Sequence, residues 1–349
     1  MTTIHDLPTP ALLFDADALA HNLRTMAVVR PGASLRPHVK AHKCTALAAA
    51  QVARGHRSFT CATPREILGM VHAGVGDDLL LANEVVDPGR LAALAAAQGT
   101  ASITVAIDSD ETLDAAARAG IRQVLVDVDV GLPRCGCPPA EAGRLADRAR
   151  ARGLTVRGVM GYEGHLMMVL DPAEQRRRVD AAMDLLLAAH ADVGGDIVSS
   201  GGTGTHHLHD RVTDLGRVTE VQAGSYALMD THYARHGFPF QQAAFVLGTV
   251  VSTRLASGAA DGHAVADVGL KALGMDHGDP SIVGARVWFC SDEHVTFGRE
   301  PGSSTVWHVG DRVRVVPAHI DPTVAQHESA WIVQGDEVVD RWPIDLRSW

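Results

Sequence analysis

The sequence has few lysines, a strongly negative balance of charge and no long apolar run, and each of these excludes a class of protein. Only three lysines occur, the 31 basic residues being otherwise arginine, and 41 acidic residues bring the net charge to −10. An acidic chain without a basic cluster is not expected to bind a phosphate backbone, so we exclude nucleic-acid binding. No stretch reaches the roughly 18 apolar residues that a membrane-spanning helix needs.

Cysteine is also scarce. The five cysteines are scattered apart from Cys135 and Cys137, and the N-terminus lacks the basic and apolar segments of a secretion signal. We therefore expect reduced thiols and a cytoplasmic location. The stretch "CGC" could be half of a metal site, but no second pair of cysteine or histidine residues has ligand spacing. We interpret it as two small residues in a loop.

Short runs rich in β-branched residues alternate with helical patterns from about residue 10 to about residue 230. The predicted strands are 35–40, 58–63, 78–83, 102–108, 123–130, 154–162, 196–201 and 220–227. Eight strands that each alternate with a helix predict an α/β fold, a closed parallel (β/α)₈ barrel of the TIM type. A doubly wound open sheet is the alternative, but no G-x-G-x-x-G follows the first strand, which counts against a dinucleotide-binding version.

The pattern changes after about residue 240, where helical patterns give way to strands joined by Gly, Asp and Pro turns. This predicts an antiparallel β domain at the C-terminus. We place the barrel at 1–240 and the β domain at 241–349, with the boundary in 235–242. The first residues of the chain are a candidate part of the β domain.

Two of the three lysines lie in the ten residues "LRPHVKAHKC". On a strand, His38, Lys40 and His42 project to one side and the residues between them to the other. Lys40 would then point into the mouth of the barrel, while Lys43 lies past the strand. On a protein surface arginine would serve as well as lysine. The presence of lysine here therefore suggests chemistry that needs an amine, such as formation of a Schiff base. A lysine whose amine reaches solvent at the barrel rim is equally consistent with this stretch alone.

Two turns of small residues, "SSGGTGTHH" (199–207) and "QAGSY" (222–226), end the seventh and eighth predicted strands. Their backbone N–H groups and hydroxyls can bind an anion, at the position where such barrels often hold a phosphate. A phosphate site combined with a reactive lysine on the first strand predicts an aldehyde that carries a phosphate. Pyridoxal 5'-phosphate has both groups.

A known family contains the same set of motifs in the same order. The motifs are "TPALLFDADAL", "RPHVKAHK", "VDVGLPRCG", "GYEGH", "GGTGT", "EVQAGSYALMD", "GLKALGMDHGDP", "SDEHVTF" and "PAHIDPTVAQHE". Together they closely resemble the D-threonine aldolases and the related D-3-hydroxyaspartate aldolases and D-serine dehydratases. These are fold-type III pyridoxal-phosphate enzymes, built like alanine racemase. The resemblance implies a lyase that splits D-threonine and similar D-β-hydroxy-α-amino acids into glycine and an aldehyde.

The resemblance also implies roles for individual residues in holding the cofactor. Lys40 is expected to form the Schiff base, and Arg134 to bind the phenolic oxygen of the cofactor. Gln222 would face the pyridine nitrogen, where a neutral amide cannot hold a proton as a carboxylate would. Tyr162 is a candidate for a cofactor or substrate contact. The residues implied for the phosphate are Gly202, Thr203, Gly224, Ser225 and Tyr226.

The resemblance to this family also implies that catalysis uses a metal ion and a base. His319 and Asp321 are the implied ligands, and we expect them at i and i+2 on a strand, so that both side chains lie on one face. An imidazole with a carboxylate suits a divalent ion, Mn²⁺ first, with Mg²⁺ or Co²⁺ as alternatives. The D-serine dehydratase branch carries a cysteine where this chain has Asp321, which favours aldol cleavage over dehydration. His165 is the candidate base.

Several alternatives remain open at this point. Glu163, His206 and His207 are further candidates for the base or for the substrate pocket, and Asp129 for orienting Arg134. D-3-hydroxyaspartate cleavage is the alternative activity, followed by D-serine dehydration. A non-catalytic pyridoxal-phosphate carrier and a chain without any cofactor are readings from other classes. We expect a small amino-acid substrate, no nucleic-acid or membrane partner, and a homodimer.

Overall fold

The structure is a computed structural model that describes residues 2–209, 218–254 and 262–349. The chain divides into two compact units. The barrel unit contains Met26–Lys40, Thr45–Gly224 and Leu346–Trp349. The β unit contains the residues up to Thr25, Ala41–Cys44 and Ser225–Asp345.

Strands and helices alternate in the first two thirds of the chain, and strands dominate the remainder. The strands are β1 (Ala11–Asp15), β2 (Ser58–Cys61), β3 (Asp78–Leu81), β4 (Ser102–Ile107), β5 (Gln123–Asp127), β6 (Thr155–Met160), β7 (Ile197–Ser200), β8 (Glu220–Val221), β9 (Ala244–Thr253), β10 (His263–Ala266), β11 (Ser281–Ile282), β12 (Ala285–Cys290), β13 (Val295–Arg299), β14 (Arg312–Val316), β15 (Ser329–Gln334) and β16 (Glu337–Pro343). The helices are α1 (Ala16–Val29), α2 (Thr45–Val52), α3 (Pro64–Ala73), α4 (Pro88–Ala97), α5 (Asp110–Ala119), α6 (Ala142–Ala151), α7 (Pro172–Val193), α8 (Thr231–Ala234) and α9 (Ile320–Ala325).

The barrel unit is a parallel sheet in which β2 to β8 are neighbours in chain order. The segment 35–38 joins its two edges, because Leu35 bridges to Val221 on β8 and His38 bridges to Thr60 on β2. The prediction of a (β/α)₈ barrel is therefore confirmed. Strands of a parallel sheet covered by helices are buried on both faces, which explains their runs of Val, Ile and Leu. Inward-facing residues pack together in a core of Leu80, Ala106, Leu125, Met160 and Ile197.

A buried network of charged side chains lies near the amino ends of the barrel strands. Nε of Arg36 donates to Glu220 at 2.7 Å, and its Nη2 donates to Asp78 at 3.0 Å. Arg157 also donates to both carboxylate oxygens of Asp78, at 2.7 and 2.9 Å. Arg36 is only 2% exposed. Each charge in this network therefore has an opposite charge beside it, which a buried ion requires.

The β unit is built on a second sheet, in the order β10-β13-β12-β11-β14-β9-β1-β15-β16. An additional pairing of β10 with β9 closes six of these strands into a ring. Neighbouring strands are antiparallel, apart from β1, which runs parallel to β15. The predicted antiparallel β domain is thus confirmed. Its core includes Ile4, Leu7, Ala11, Leu13, Leu247 and Val333.

The structure differs from the sequence-based expectation at four places. In the predicted strand 220–227 only Glu220–Val221 form a strand, and Ser225–Ala227 form a 3₁₀ helix. The predicted strand 35–40 makes its sheet contacts only up to His38, since Val39–Ala41 form a 3₁₀ helix. The strand predicted through His319 and Asp321 ends at His319, which bridges to Gly274, because α9 begins at Ile320. The two units divide at Gly224, earlier than the expected 235–242, and the N-terminal residues group with the β unit because β1 pairs with β9 and β15. Among the described residues, no helix has the length and hydropathy to cross a bilayer.

Candidate functional site

Parallel strands bring their carboxyl ends to one edge of a barrel, where active sites of this fold are built. Most of the predicted site residues lie just past these ends. They are Lys40 after the bridge at His38, Arg134 after β5, Tyr162 and His165 after β6, Gly202 and Thr203 after β7, and Gln222 and Gly224 after β8. Because Lys40 belongs to a 3₁₀ helix, its position at this edge follows from the bridge at His38 and not from strand alternation.

Arg134, Tyr162 and the turn after β7 lie together. The guanidinium carbon of Arg134 is 5.4 Å from the centre of the Tyr162 ring, a cation–π distance. A Cβ atom at Gly202 would lie 3.4 Å from the same ring and 2.8 Å from the sulfur of Met167. Only glycine leaves the turn this close to Tyr162, so residues from three strand ends meet here.

His165 is exposed at the same edge and lies above the loop that carries Arg134. A Cβ atom at Gly131 would be 3.3 Å from Cε1 and Nε2 of His165, and Gly131 has a φ of +113°. Burial and, to a smaller extent, the charge of Arg178 lower the pKa of His165. A neutral imidazole at neutral pH is suited to accept a proton.

The turn at 201–205 has a backbone that leaves little room for side chains. The N–H of Gly202 donates to the hydroxyl of Thr205 at 3.2 Å, and the N–H of Thr205 donates back to the carbonyl of Gly202 at 3.2 Å. A Cβ atom at Gly204 would lie 2.2 Å from the carbonyl oxygen of Met167. A tight turn of this composition fits the backbone-lined anion site that a phosphate needs.

Glu163 and His206, two of the alternative candidates for the base, are buried. Glu163 is fully buried, and despite the opposing effect of burial its contact with His209 lowers the pKa of Glu163 to about 2. His206 is 3% exposed, its Nδ1 donates to the carbonyl of Thr203 at 2.8 Å, and burial lowers the pKa of His206 to about 4. A carboxylate this acidic and this enclosed is not a proton acceptor for a substrate.

Gln222 is oriented by the neighbouring strand. Its Nε2 donates to the hydroxyl of Ser199 at 2.8 Å, and its backbone N–H donates to the carbonyl of Ser200. Ser199 is fully buried, so the amide group has a defined orientation. That Gln222 faces the ring nitrogen of the cofactor stays a prediction.

Carboxyl groups that the sequence analysis missed surround Arg134. Ligand-type atoms of Glu84, Asp108 and Cys135 lie within 4.8 Å of one another. Burial, and then the charge of Glu84, raise the pKa of the nearby Asp127 well above its usual value, while Arg134 acts in the opposite direction. Asp129 instead accepts the N–H of Gly131 at 2.8 Å. These groups come from the ends of three strands, and only the fold brings them together.

The expected metal ligands lie in the β unit. His319 precedes α9 and Asp321 is in its first turn, and Nε2 of His319 is 4.0 Å from Oδ1 of Asp321. Two ligand atoms at this distance can bind one divalent ion, and an imidazole with a carboxylate suits Mn²⁺, Mg²⁺ or Co²⁺. The start of α9 therefore brings the side chains of His319 and Asp321 together, although the two residues do not share the predicted strand.

Asp276 and His277 are neighbours of His319 that were not predicted from the sequence, although both lie in the motif "GLKALGMDHGDP". Asp276 accepts a hydrogen bond from Nδ1 of His319 at 2.8 Å, and the ring of His277 stacks on that of His319 at 3.7 Å. Lys43, the second lysine of the opening stretch, donates to the carbonyl of Asp321 at 2.7 Å. Ser225 and Tyr226 are buried in the 3₁₀ helix Ser225–Ala227, also in the β unit.

Known proteins share the sequence and the fold of this chain. The family model for the alanine racemase N-terminal domain matches residues 14–243, and a model for a serine dehydratase domain matches 243–333. A D-threonine aldolase from Arthrobacter sp is 35% identical, over 97% of this chain and 92% of that protein. The chain belongs to the D-threonine aldolase family.

Other members of the D-threonine aldolase family extend the comparison to structure. A 3-hydroxy-D-aspartate aldolase from Paracoccus denitrificans (strain Pd 1222) is 32% identical, over 98% of this chain and 92% of that protein. The crystal structure of D-threonine aldolase from Filomicrobium marinum has a TM-score of 0.89 and 35% identity, and covers 99% of this chain and 97% of that one. Aldolases are lyases, so the expectation that this enzyme is a lyase is confirmed.

Proposed function

We propose that the enzyme cleaves D-threonine and related D-β-hydroxy-α-amino acids to glycine and an aldehyde, using pyridoxal 5'-phosphate and a divalent metal ion. The observation that supports this proposal is at the carboxyl-end edge of the barrel, where Arg134 and the small-residue turn after β7 lie against Tyr162. Lys40 and His165 also follow strand ends at this edge. An amine, a phosphate-type turn and a candidate base are the groups that such a reaction needs.

Each group at the barrel edge has a role in this proposal. Lys40 would hold the cofactor through its amine, and pyridoxal phosphate would supply, when bound, the electron sink for the carbon–carbon bond that breaks. Arg134 would bind the phenolic oxygen, and Gln222, whose amide donates to Ser199, would lie at the ring nitrogen. The turn of Gly202 and Thr203 receives the phosphate, with Gly224, Ser225 and Tyr226 as further predicted contacts.

His165 accepts the proton of the substrate hydroxyl in this proposal. Its pKa is lowered, so it is neutral and able to act as a base at the pH of most cells. His319 and Asp321 would hold a divalent ion, which when bound lowers the pKa of a hydroxyl in its coordination shell.

Two observations support D-threonine over the other candidate substrates. Glu84 and Asp108 place carboxyl groups at the ends of β3 and β4, where a second substrate carboxylate, as in D-3-hydroxyaspartate, would be repelled. Asp321, in place of the cysteine of the D-serine dehydratase branch, disfavours dehydration. D-3-hydroxyaspartate cleavage remains the second candidate because of the relative at 32% identity.

A product assay tests the proposal. D-threonine, D-3-hydroxyaspartate and D-serine are each offered with Mn²⁺ and after chelation, and glycine, aldehyde and pyruvate are measured. We expect glycine and acetaldehyde from D-threonine with Mn²⁺, and no turnover after chelation while the visible absorbance of the cofactor persists. Pyruvate from D-serine as the main product would contradict the proposal.

The two lysines of "LRPHVKAHKC" provide a matched pair for the cofactor. Lys40→Ala should abolish the visible absorbance of the bound cofactor, whereas Lys43→Ala should keep it, since Lys43 contacts the backbone of Asp321 in the β unit. Equal absorbance in the two variants would refute attachment at Lys40. A homodimer stays a prediction that the mass in solution tests.

A further inference from the structure

Glu163 is a fully buried carboxylate whose two oxygens both contact donors. Its Oε1 accepts from the hydroxyl of Thr205 at 2.7 Å and from Nε2 of His209 at 3.0 Å. Its Oε2 lies 2.9 Å from the hydroxyl of Ser200 and 3.2 Å from the N–H of Gly201. All four contacts come from β7 and the segment that follows it, and they provide partners for a carboxylate that reaches no solvent.

Three of these four donors belong to Ser200–Thr205, the end of β7 and the turn proposed to receive the phosphate. Thr205 extends the contact further, since its hydroxyl donates to Glu163 and accepts the N–H of Gly202 at 3.2 Å. Gln175 on α7 holds the same turn at another point, donating to the carbonyl of Gly204 at 3.1 Å. The turn thus has its conformation fixed by side chains from β6's end and from α7.

A carboxylate is specifically required at this position. The Gly201 N–H donates to one oxygen of Glu163, and the Thr205 hydroxyl and His209 donate to the other, whereas the Ser200 hydroxyl lies nearer the carbonyl of Gly161, at 2.7 Å. Only an ionised carboxylate offers acceptors alone on both of its oxygens. A glutamine would direct its NH₂ group at donors on one side, leaving buried polar groups without partners. A buried charge is also costly unless an opposite charge lies beside it, and His209 occupies that place.

We propose that Glu163 is a positioning residue that, with His209 and Thr205, holds the Ser200–Thr205 turn in the conformation that binds the cofactor phosphate. This inference rests on the proposed function, because it assumes pyridoxal phosphate as the ligand. It assigns Glu163 no contact with substrate or cofactor. The consequence of losing Glu163 should therefore be confined to recognition of the phosphate.

The test compares two ligands that differ only in the phosphate. Dissociation constants of pyridoxal 5'-phosphate and of pyridoxal are measured by absorbance titration on the full-length chain. For Glu163→Gln we expect about tenfold or weaker binding of pyridoxal phosphate, the equivalent of one charge-assisted hydrogen bond. Binding of pyridoxal should change by less than about threefold, a small difference on the same scale.

Glu220→Gln is the matched control, because Glu220 is also buried but pairs with Arg36 at the start of β8. It should lower stability without changing the ratio of the two dissociation constants. A second pair of variants separates hydrogen bonding from bulk. Thr205→Ser keeps the hydroxyl and should bind pyridoxal phosphate nearly as the unaltered chain does, whereas Thr205→Val should resemble Glu163→Gln. This pair decides the matter even if Glu163→Gln fails to fold.

Two results would overturn the inference. One is an unchanged affinity for pyridoxal phosphate in Thr205→Val or in a folded Glu163→Gln. The other is an equal loss for pyridoxal and pyridoxal phosphate, which would mean a general loss of structure. Failure of the unaltered chain to bind either ligand would instead refute the proposed function itself, so the two failures are distinguishable.

Discussion

Nδ1 of His319 lies 2.8 Å from Oδ2 of Asp276. Because a carboxylate can only accept, Nδ1 carries the proton and Nε2 keeps its lone pair. Nε2 is the atom on the side of Asp321, at 4.0 Å, and the stacked ring of His277 restricts rotation of His319. Asp276 thereby holds His319 in the tautomer that a metal ligand needs.

Asp276→Asn is predicted to weaken the binding of a divalent ion. Loss of the partner of a metal-bound histidine typically costs 10–100-fold in affinity, and we expect roughly tenfold here because Asp276 is exposed. Mn²⁺ titration of the cofactor-loaded enzyme, followed by electron paramagnetic resonance, measures this. Asp279→Asn removes a similar exposed charge three residues away and should have no effect. Identical Mn²⁺ affinity in the two variants would show that Asp276 does not act through His319.

Gly131→Ala is predicted to lower activity by displacing His165. The new Cβ atom would lie 3.3 Å from the imidazole, at a φ of +113° that only glycine adopts readily. A displacement of about 1 Å can reduce turnover by about a hundredfold, so we expect a tenfold to hundredfold loss in kcat. D-threonine cleavage kinetics measure it.

Gly153→Ala is the control for the backbone cost at Gly131. Gly153 also has a positive φ, +81°, but no atom lies within 4 Å of its added Cβ. Both variants should lose about 1–3 kcal/mol of unfolding free energy from backbone strain. A parallel loss of activity in Gly153→Ala would mean that strain alone, and not the contact with His165, explains the result.

Asp78→Asn is predicted to destabilise the barrel. The change leaves Arg157 without a charged partner and leaves Arg36, which is 2% exposed, with Glu220 alone. Breaking such a pair costs about 2–4 kcal/mol when one side is partly exposed. Asp77→Asn is the neighbouring control, since Asp77 pairs with Arg57 at the surface, with both side chains more than half exposed. That variant should change stability by less than about 1 kcal/mol. Urea unfolding distinguishes the two.

The carboxylate of Asp78 also makes the free energy of unfolding depend on pH. Burial alone would raise the pKa of Asp78, but hydrogen bonds from Arg157 and the charge of Arg36 lower it to about 2. A pKa lower in the folded chain than in the unfolded chain stabilises the fold above about pH 4, and this contribution of about 2 kcal/mol disappears as pH falls towards 2. Asp78→Asn should flatten the decline in unfolding free energy over this range. An unchanged slope in that variant would contradict the assignment.

The sequence predicted the elements whose signals are local. Runs such as "DLLLAN" and "SITVAID" are long and apolar enough to identify β3 and β4, and the alternation with helices predicted the closed barrel. β1 was missed because its partners, β9 and β15, are more than 200 residues away. The stretch "PAHIDPT" is strand-like in composition, but its second proline, Pro322, falls in the first turn of a helix, where proline is favoured.

The site was predictable to the extent that motifs carry it. Lys40, Arg134, Tyr162 and His165 were predicted from the stretches that contain them, and the structure places them past strand ends, while their roles stay predictions. Glu84, Asp127, His209 and Asp276 were missed because their significance comes from neighbours distant in the chain. A buried carboxylate and an exposed one have the same letter in a sequence.

The segment 35–38 closes the barrel through backbone hydrogen bonds that include those from Arg36 to Val221, from His38 to Ala223 and from Thr60 to Pro37. Lys40 follows this segment by two residues, so a ligand attached to Lys40 would restrict the motion of the segment that closes the barrel. Binding of the cofactor and closure of the barrel would then be thermodynamically linked, so that pyridoxal phosphate would stabilise the fold as well as take part in the reaction.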